Sequence, residues 1–424
     1  MAASPAPPSS GDGSHVGRIL VLGTGAFGLA WSLTTTAAYL PPLLGAYTDS
    51  TTLVGLVLAA EGLFAITLPL VIGSWSDTFH TPLGRRRPFM LAALGPMGFS
   101  LALVAFMPSL WTTALMLFAF FFAYYVYEPP YRGLYPDLLP DRVFGRAQGV
   151  QHVMRGAALG GALIGGGFLL HLWAPAPFLV AAGVVCVACL VPIVFVTEDG
   201  GHGRVFEGVR TYVVHSWHVL RGNPDVARFL VANTAWEGTF AGARTFAVLY
   251  VTVGLDEPLT TSTSVLGAVA GGYLVAAVVS GPIGDRVGLA RVIGVASVVY
   301  GGGLLACGLA QQWHVWYLAV VFVLAIAGGT VMTLAWGLLF KLMPPGDRGA
   351  ISGLATTTKG VGLVIGPLLA GALIEILRGP LSETEGYQAL WPVLGVPILL
   401  VLPLVGWLVK AESAADRAAA APVA

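Results

Sequence analysis

Gly73-Ser-Trp-Ser-Asp77-Thr-Phe-His-Thr-Pro-Leu-Gly84-Arg85-Arg86-Arg87-Pro88 is a polar island between two apolar stretches, each long enough to cross a bilayer. A shorter version, Gly281-Pro-Ile-Gly-Asp285-Arg286-Val-Gly288, returns in the second half of the chain, again between apolar stretches. Two further echoes keep the same order: Pro140-Asp141-Arg142 with Gly346-Asp347-Arg348, and Arg155-Gly-Ala-Ala-Leu-Gly with Lys359-Gly-Val-Gly-Leu-Val. Ordered repetition of this kind indicates two halves descended from one.

Of 424 residues, 56% are hydrophobic and 10% are charged, whereas soluble domains carry about 25% charged residues. The lipid bilayer is therefore the expected solvent and first partner. At roughly 20 apolar residues per crossing, a chain of this length holds about twelve transmembrane helices joined by short loops. Hydropathy places them near 19–44, 52–76, 89–108, 111–136, 146–171 and 177–197, then 227–252, 261–282, 291–311, 314–342, 350–376 and 388–409. The fold class is thus all-α integral membrane, with two pseudo-symmetric six-helix bundles. Expected boundaries are a disordered tail at 1–17, a first bundle at 18–197, a linker at 198–226, a second bundle at 227–410 and a tail at 411–424.

Most bases outside the spans, Arg18, Arg85 to Arg87, Arg142, Arg286, Arg348 and Lys410 among them, fall on one side, with Arg378 on the other. The positive-inside rule then puts both termini in the cytoplasm of a multi-pass plasma (inner) membrane protein. Eighteen of the 21 basic residues are Arg, a coding bias that reads as bacterial. Cys186 and Cys189 have CxxC spacing but lie in an apolar run with no further ligands, so no metal site or cofactor is expected. His215-Ser-Trp-His218 lies in an amphipathic stretch of the linker and reads as a helix along the membrane surface. Neither HExxH nor GxSxG occurs, so enzyme chemistry is not expected. Nor is a nucleic-acid partner, and a monomer is the default.

Gly281-x-x-x-Asp285-Arg286-x-Gly288 resembles the signature hairpin of the major facilitator superfamily. The elongated first copy, Ser76-Asp77 followed by Gly84-Arg85-Arg86-Arg87-Pro88-Phe89, resembles the sucrose transporters and the wider glycoside-pentoside-hexuronide cation symporters. Pro130-Tyr-Arg132-Gly-Leu-Tyr-Pro-Asp137-Leu is similar to a segment of the same family. Phe121 stands where plant sucrose transporters carry an Asp, and Glu128, one turn from Arg132, is the acid available to replace it. The resemblance implies a secondary active transporter working by alternating access, most simply a proton-coupled symporter of a sugar or glycoside. The superfamily pattern equally allows a proton-driven exporter of drugs or other small metabolites. Duplicated halves with a site at the midplane suit either.

Hairpin carboxylates near a helix N-terminus, paired with Arg, can close the cytoplasmic mouth. Asp77, Arg85, Arg86, Arg87, Asp285, Arg286 and Asp137 are the candidates for that gate. An ionisable group in hydrocarbon costs on the order of 3 kcal/mol and so usually faces a cavity or a partner. Glu128, Glu237 and Glu61 are the candidate proton carriers, since a buried carboxylate can take up a proton and a neighbouring Arg can reset it. Arg132, Arg155, Arg244 and Lys359 are expected around the substrate, with Asn233, Trp236, Trp31 and Tyr124 as amide and aromatic partners for a sugar. Glu128 and Arg132 share a helix face at i, i+4, although Pro129 and Pro130 between them predict a distorted helix.

Overall fold

The computed structural model describes residues 12–45, 47–48, 57, 60–198, 208–344 and 346–420. Its described residues are almost entirely helical. The first bundle comprises α1 (Asp12–Gly45), α2 (Ala60–Thr78), α3 (Arg87–Leu103), α4 (Leu110–Leu138), α5 (Phe144–Leu172) and α6 (Ala176–Phe195). An amphipathic helix, α7 (Val209–Gly222), precedes the second bundle of α8 (Pro224–Leu249), α9 (Leu259–Val287), α10 (Leu289–Cys307), α11 (Tyr317–Leu342) and α12 (Arg348–Leu377). The last span is a broken pair, α13 (Leu390–Leu400) and α14 (Leu402–Ala420).

Ten spans among the described residues are long and apolar enough to cross a membrane. The two expected spans not among them are α2, the second helix of the first bundle, and α8, the first of the second. Both are diluted by charged residues: Glu61 and Asp77 in α2, and Asp225, Arg228, Glu237 and Arg244 in α8. Their place comes from packing, α2 against α4 and α12, α8 against α12 and α13.

Three local outcomes differ from the sequence reading. Helix α1 starts at Asp12, inside the stretch expected as a tail; residues 1–11 lie outside the described residues. The stretch from 411 is helical through Ala420, because Glu412 is drawn into the protein and is only 3% exposed. Finally, α4 stays one continuous helix through Pro129, Pro130 and Pro136. Its register is held by a Ser109 capping box at one end and by a buried tyrosine row. Tyr127 donates to the Cys189 carbonyl at 2.8 Å and Tyr131 to the Leu22 carbonyl at 2.6 Å, so α6 and α1 clamp the proline-bearing turns.

The two bundles meet along two helix pairs related by the duplication, α2 with α12 and α9 with α5. Contact is backbone to backbone. A Cβ at Gly281 would stand 2.6 Å from the Gly145 carbonyl oxygen, and Gly73 and Gly349 approach at least as closely in the other pair. Only a residue without a side chain permits this spacing. Each hairpin also turns on a glycine of positive φ, Gly84 at 106° and Gly288 at 105°, where any side chain would be strained.

Replacing Gly349 with Leu should force α2 and α12 apart, with overpacking of about 1–3 kcal/mol. In a background lacking Cys186, Cys189 and Cys307, a cysteine placed at the buried Ser352 should then react faster with a hydrophilic maleimide applied from the hairpin face. Unchanged reactivity in folded protein would show that the close approach does not hold this face shut.

Candidate functional site

At the hairpin face, each duplicated Asp reaches across to the other bundle and caps a helix there. The Asp77 carboxylate accepts from the backbone N–H groups of Gly349 and Ala350, both at 2.8 Å, at the start of α12. Asp285 accepts from Gly145 at 2.8 Å and Arg146 at 3.1 Å, at the start of α5. Unpaired N–H groups and the positive end of the helix dipole favour a carboxylate at both places. Arg86, wholly buried, donates to Asp77 at 3.1 Å and to Asp137 at 2.7 Å. Asp137 also binds Arg85 at 3.2 Å and, across the bundle boundary, Arg348 at 3.1 Å.

Burial alone would strip charge from Arg86. Asp137, Asp77 and Glu198 outweigh it and hold its pKa above the usual value.

A second pair of acids ties each hairpin to its own bundle. Glu198 accepts from the backbone N–H groups of Arg86 and Arg87, both at 3.0 Å, at the start of α3. Glu412 accepts from Leu289 at 2.9 Å and Ala290 at 2.8 Å, at the start of α10, and pairs with Lys341 at 3.0 Å. Sequence reading missed both, although Glu198 lies just past the last expected span of the first half and Glu412 just past 409, the expected end of the last span. Two expected gate residues lie elsewhere. Arg87 donates to the Ile193 carbonyl at 2.6 Å inside the first bundle, and Arg286 is exposed beside the hairpin.

Roughly 15–20 Å deeper, counted at about 1.5 Å per residue along α4, α5, α8 and α12, the intramembrane charges converge. Glu128 is fully buried, and one oxygen, Oε1, faces three cations: Arg132 at 3.4 Å, Lys359 at 3.6 Å and Arg155 at 3.8 Å. Arg132 and Arg155 belong to the first bundle and Lys359 to the second, so the cluster bridges them. Arg132 also donates to Gln151 Oε1 at 2.9 Å and lies 4.3 Å above the Trp336 ring. A cation over an indole face in a dry site contributes on the order of 2 kcal/mol. The i, i+4 pairing of Glu128 and Arg132 survives the prolines because α4 is unbroken.

Glu61 receives a long 3.5 Å hydrogen bond from Tyr125, and Glu237 is half-buried; neither has an ion pair among the described residues. Lys359 exerts the largest attraction on all three acids, and Arg244 adds to that on Glu61. Tyr124 is buried on α4 one turn before Glu128, against Phe120 and Tyr125, while Tyr273 meets His152 across the α5–α9 boundary at 2.6 Å. Other expected substrate contacts are committed to packing. Trp31 fills the space over Gly161, Asn233 donates to Ala355 and Thr358 of α12, and Trp236 is 1% exposed against Phe229. Gln148, Gln151 and Tyr273 were not foreseen, since a neutral polar residue in a span carries no signal without its neighbours.

The comparisons with known proteins agree with this architecture. The family model described as Major Facilitator Superfamily matches residues 20–271 and 240–422. The chain belongs to the Major Facilitator Superfamily. Its homologues and its fold are those of membrane transporters of that superfamily, not of enzymes. Among solved structures, the human organic anion transporter MFSD10 covers 94% of this chain and is itself covered completely, with 15% identity and a TM-score of 0.74. FucP in the outward conformation covers 93%, and 99% of it is matched, with 10% identity and a TM-score of 0.75. An uncharacterized superfamily transporter of Mycobacterium tuberculosis is 34% identical over 124 residues, 29% of this chain and 18% of that protein. Multidrug resistance protein 3 of Bacillus subtilis is 32% identical over 108 residues, 24% of this chain and 20% of that protein. Each such match therefore spans no more than about a fifth of the curated relative.

Arg86→Gln should leave Asp77 and Asp137 short of their buried partner and cost about 3–5 kcal/mol, seen as a lowered thermal unfolding midpoint in detergent. Arg286→Gln should leave that midpoint unchanged. Equal effects would contradict the division between gate and surface arginines.

Proposed function

We propose that this transporter couples movement of a small polar solute to protons by alternating access, with the hairpin face as its cytoplasmic gate. The observation that carries this reading is the Glu128–Lys359 ion pair, 3.6 Å between two bundles at mid-membrane depth. An ion pair there cannot survive unchanged when one bundle rocks against the other. It is a natural point at which solute and proton occupancy bias the conformation. Glu61 and Glu237 lack a cation of their own and are free to exchange a proton, with Lys359 as the base whose allegiance shifts among the three acids.

The sugar reading rests on the resemblance of residues 76–89 and 130–138 to the sucrose-transporter type of hairpin and fourth span. Tyr124 and Trp336 remain as aromatic surfaces near the charges. Export of drugs is the second reading, favoured by the stretch shared with multidrug resistance protein 3. Three cations around one carboxylate argue against a lipophilic cation as the cargo of either.

The test is uptake into proteoliposomes of labelled sugars, organic acids and ethidium, with and without an imposed pH gradient. Gradient-driven accumulation of one solute supports the reading, and Glu237→Gln together with Glu61→Gln should abolish the drive while leaving solute exchange measurable. Exchange and accumulation that both ignore the gradient would defeat proton coupling.

A further inference from the structure

The central charges do not balance, and the surplus has free hydrogen-bonding capacity. Three bases, Arg132, Arg155 and Lys359, face the single carboxylate of Glu128, while Arg244 is exposed. Two of the bases are placed differently from the rest. The Arg132 side chain is only 3% exposed and is already engaged by Glu128, Gln151 and Trp336. Arg155 and Lys359 reach Glu128 only at ion-pair distance, 3.8 and 3.6 Å, and keep 23% and 21% exposure deep within the protein. Among the described residues, Arg155 Nε and Nη2, Arg132 Nε and Gln151 Nε2 have no hydrogen-bond partner, and neither does the second oxygen of Glu128. Buried donors are normally satisfied, and a cluster left open marks a place prepared for an acceptor.

We propose that the transported solute is an organic anion, a monocarboxylate in the simplest case. It takes both Arg155 and Lys359, and Glu128 is the internal carboxylate that occupies those cations when the solute is absent. This rests on the transporter reading above. Arg155 and Lys359 are the matching residues of the duplicated α5 and α12, one from each bundle, so one carboxylate bound between them links the halves. A planar guanidinium fork suits a carboxylate, and a lysine serves as a point charge beside it. A bound anion also offsets part of the positive charge that Glu128 alone leaves uncompensated around the three cations, lowering the cost of charge in a low-dielectric setting.

The sign of one substitution separates this from a neutral substrate. Glu128→Gln removes the competing internal carboxylate and should tighten anion binding, although it damages coupled accumulation. A sugar that depends on Glu128 as an acceptor should instead bind more weakly.

The experiment is thermal stabilisation and calorimetric titration of the purified full-length protein with acetate, lactate, benzoate and gluconate. Each is paired with its amide or alcohol, and inorganic phosphate and sulfate form a separate arm. At least one carboxylate should bind and its neutral partner should not. Arg155→Gln and Lys359→Gln should each weaken it by about tenfold or more, the loss of one charge-assisted contact, whereas Arg155→Lys and Lys359→Arg should retain most of it. Equal binding of the neutral partner overturns the proposal, as does binding confined to phosphate or sulfate, or to neutral sugars, or no binding at all by folded protein. Carboxylate binding without any coupled transport would uphold the anion site and reject the transporter coupling on which it was built.

Discussion

A carboxylate seated on the first N–H groups of a helix in the opposite bundle is the contact on which the closed face depends. Asp77 does this for α12 and Asp285 for α5. The geometry requires backbones close enough for a short side chain to span the boundary, which the glycines of α2, α5, α9 and α12 allow. It also requires each Asp to remain charged away from water, which the helix dipoles favour and Arg86 or Arg146 reinforces. The two sides are not equal. Arg86, wholly buried, joins Asp77 to Asp137, which also binds Arg85 and Arg348, whereas among the described residues Asp285 pairs with the half-exposed Arg146 at 3.6 Å.

Glu198 and Glu412 repeat the device within each bundle. Four carboxylates thus bind four helix starts, two inside a bundle and two across the boundary. The internal pair keeps each hairpin fixed to its own bundle. In the proposed alternating-access cycle, strain would therefore fall on the crossing pair, and the apolar packing within each bundle would stay intact.

The same logic operates at mid-depth with longer side chains. Glu128 and Arg132 are bound into α4 and its neighbours, while Arg155 and Lys359 approach from the two bundles and complete no hydrogen bond. The fixed part of the cluster sets the field, and the loosely held part is available to a ligand. The hairpin face and the centre are joined through α5 and α12, which carry both the capped helix starts and the two cations, Arg155 and Lys359, that meet Glu128 only at ion-pair distance.

Composition and span length determined the bilayer setting and the helical class, because the hydrocarbon core admits only segments that satisfy their own backbone. The repeated hairpin determined the twofold construction, and Gly-x-x-x-Asp-Arg-x-Gly determined where the two halves would meet. Glu128 with Arg132 was legible as a local i, i+4 pair. What the sequence could not determine is which charges share space: Arg155 and Lys359 converge on Glu128 only because α5 and α12 pack against α4 from different bundles. Trp31, Asn233 and Trp236 were plausible solute contacts by type and became packing residues by position. Arg86 and Arg286 both belong to the repeated hairpins, yet one is buried among three acids and the other exposed. These outcomes depend on contacts between residues far apart in the chain, and a residue's partners at that range are set by the packing of whole helices rather than by its own chemistry.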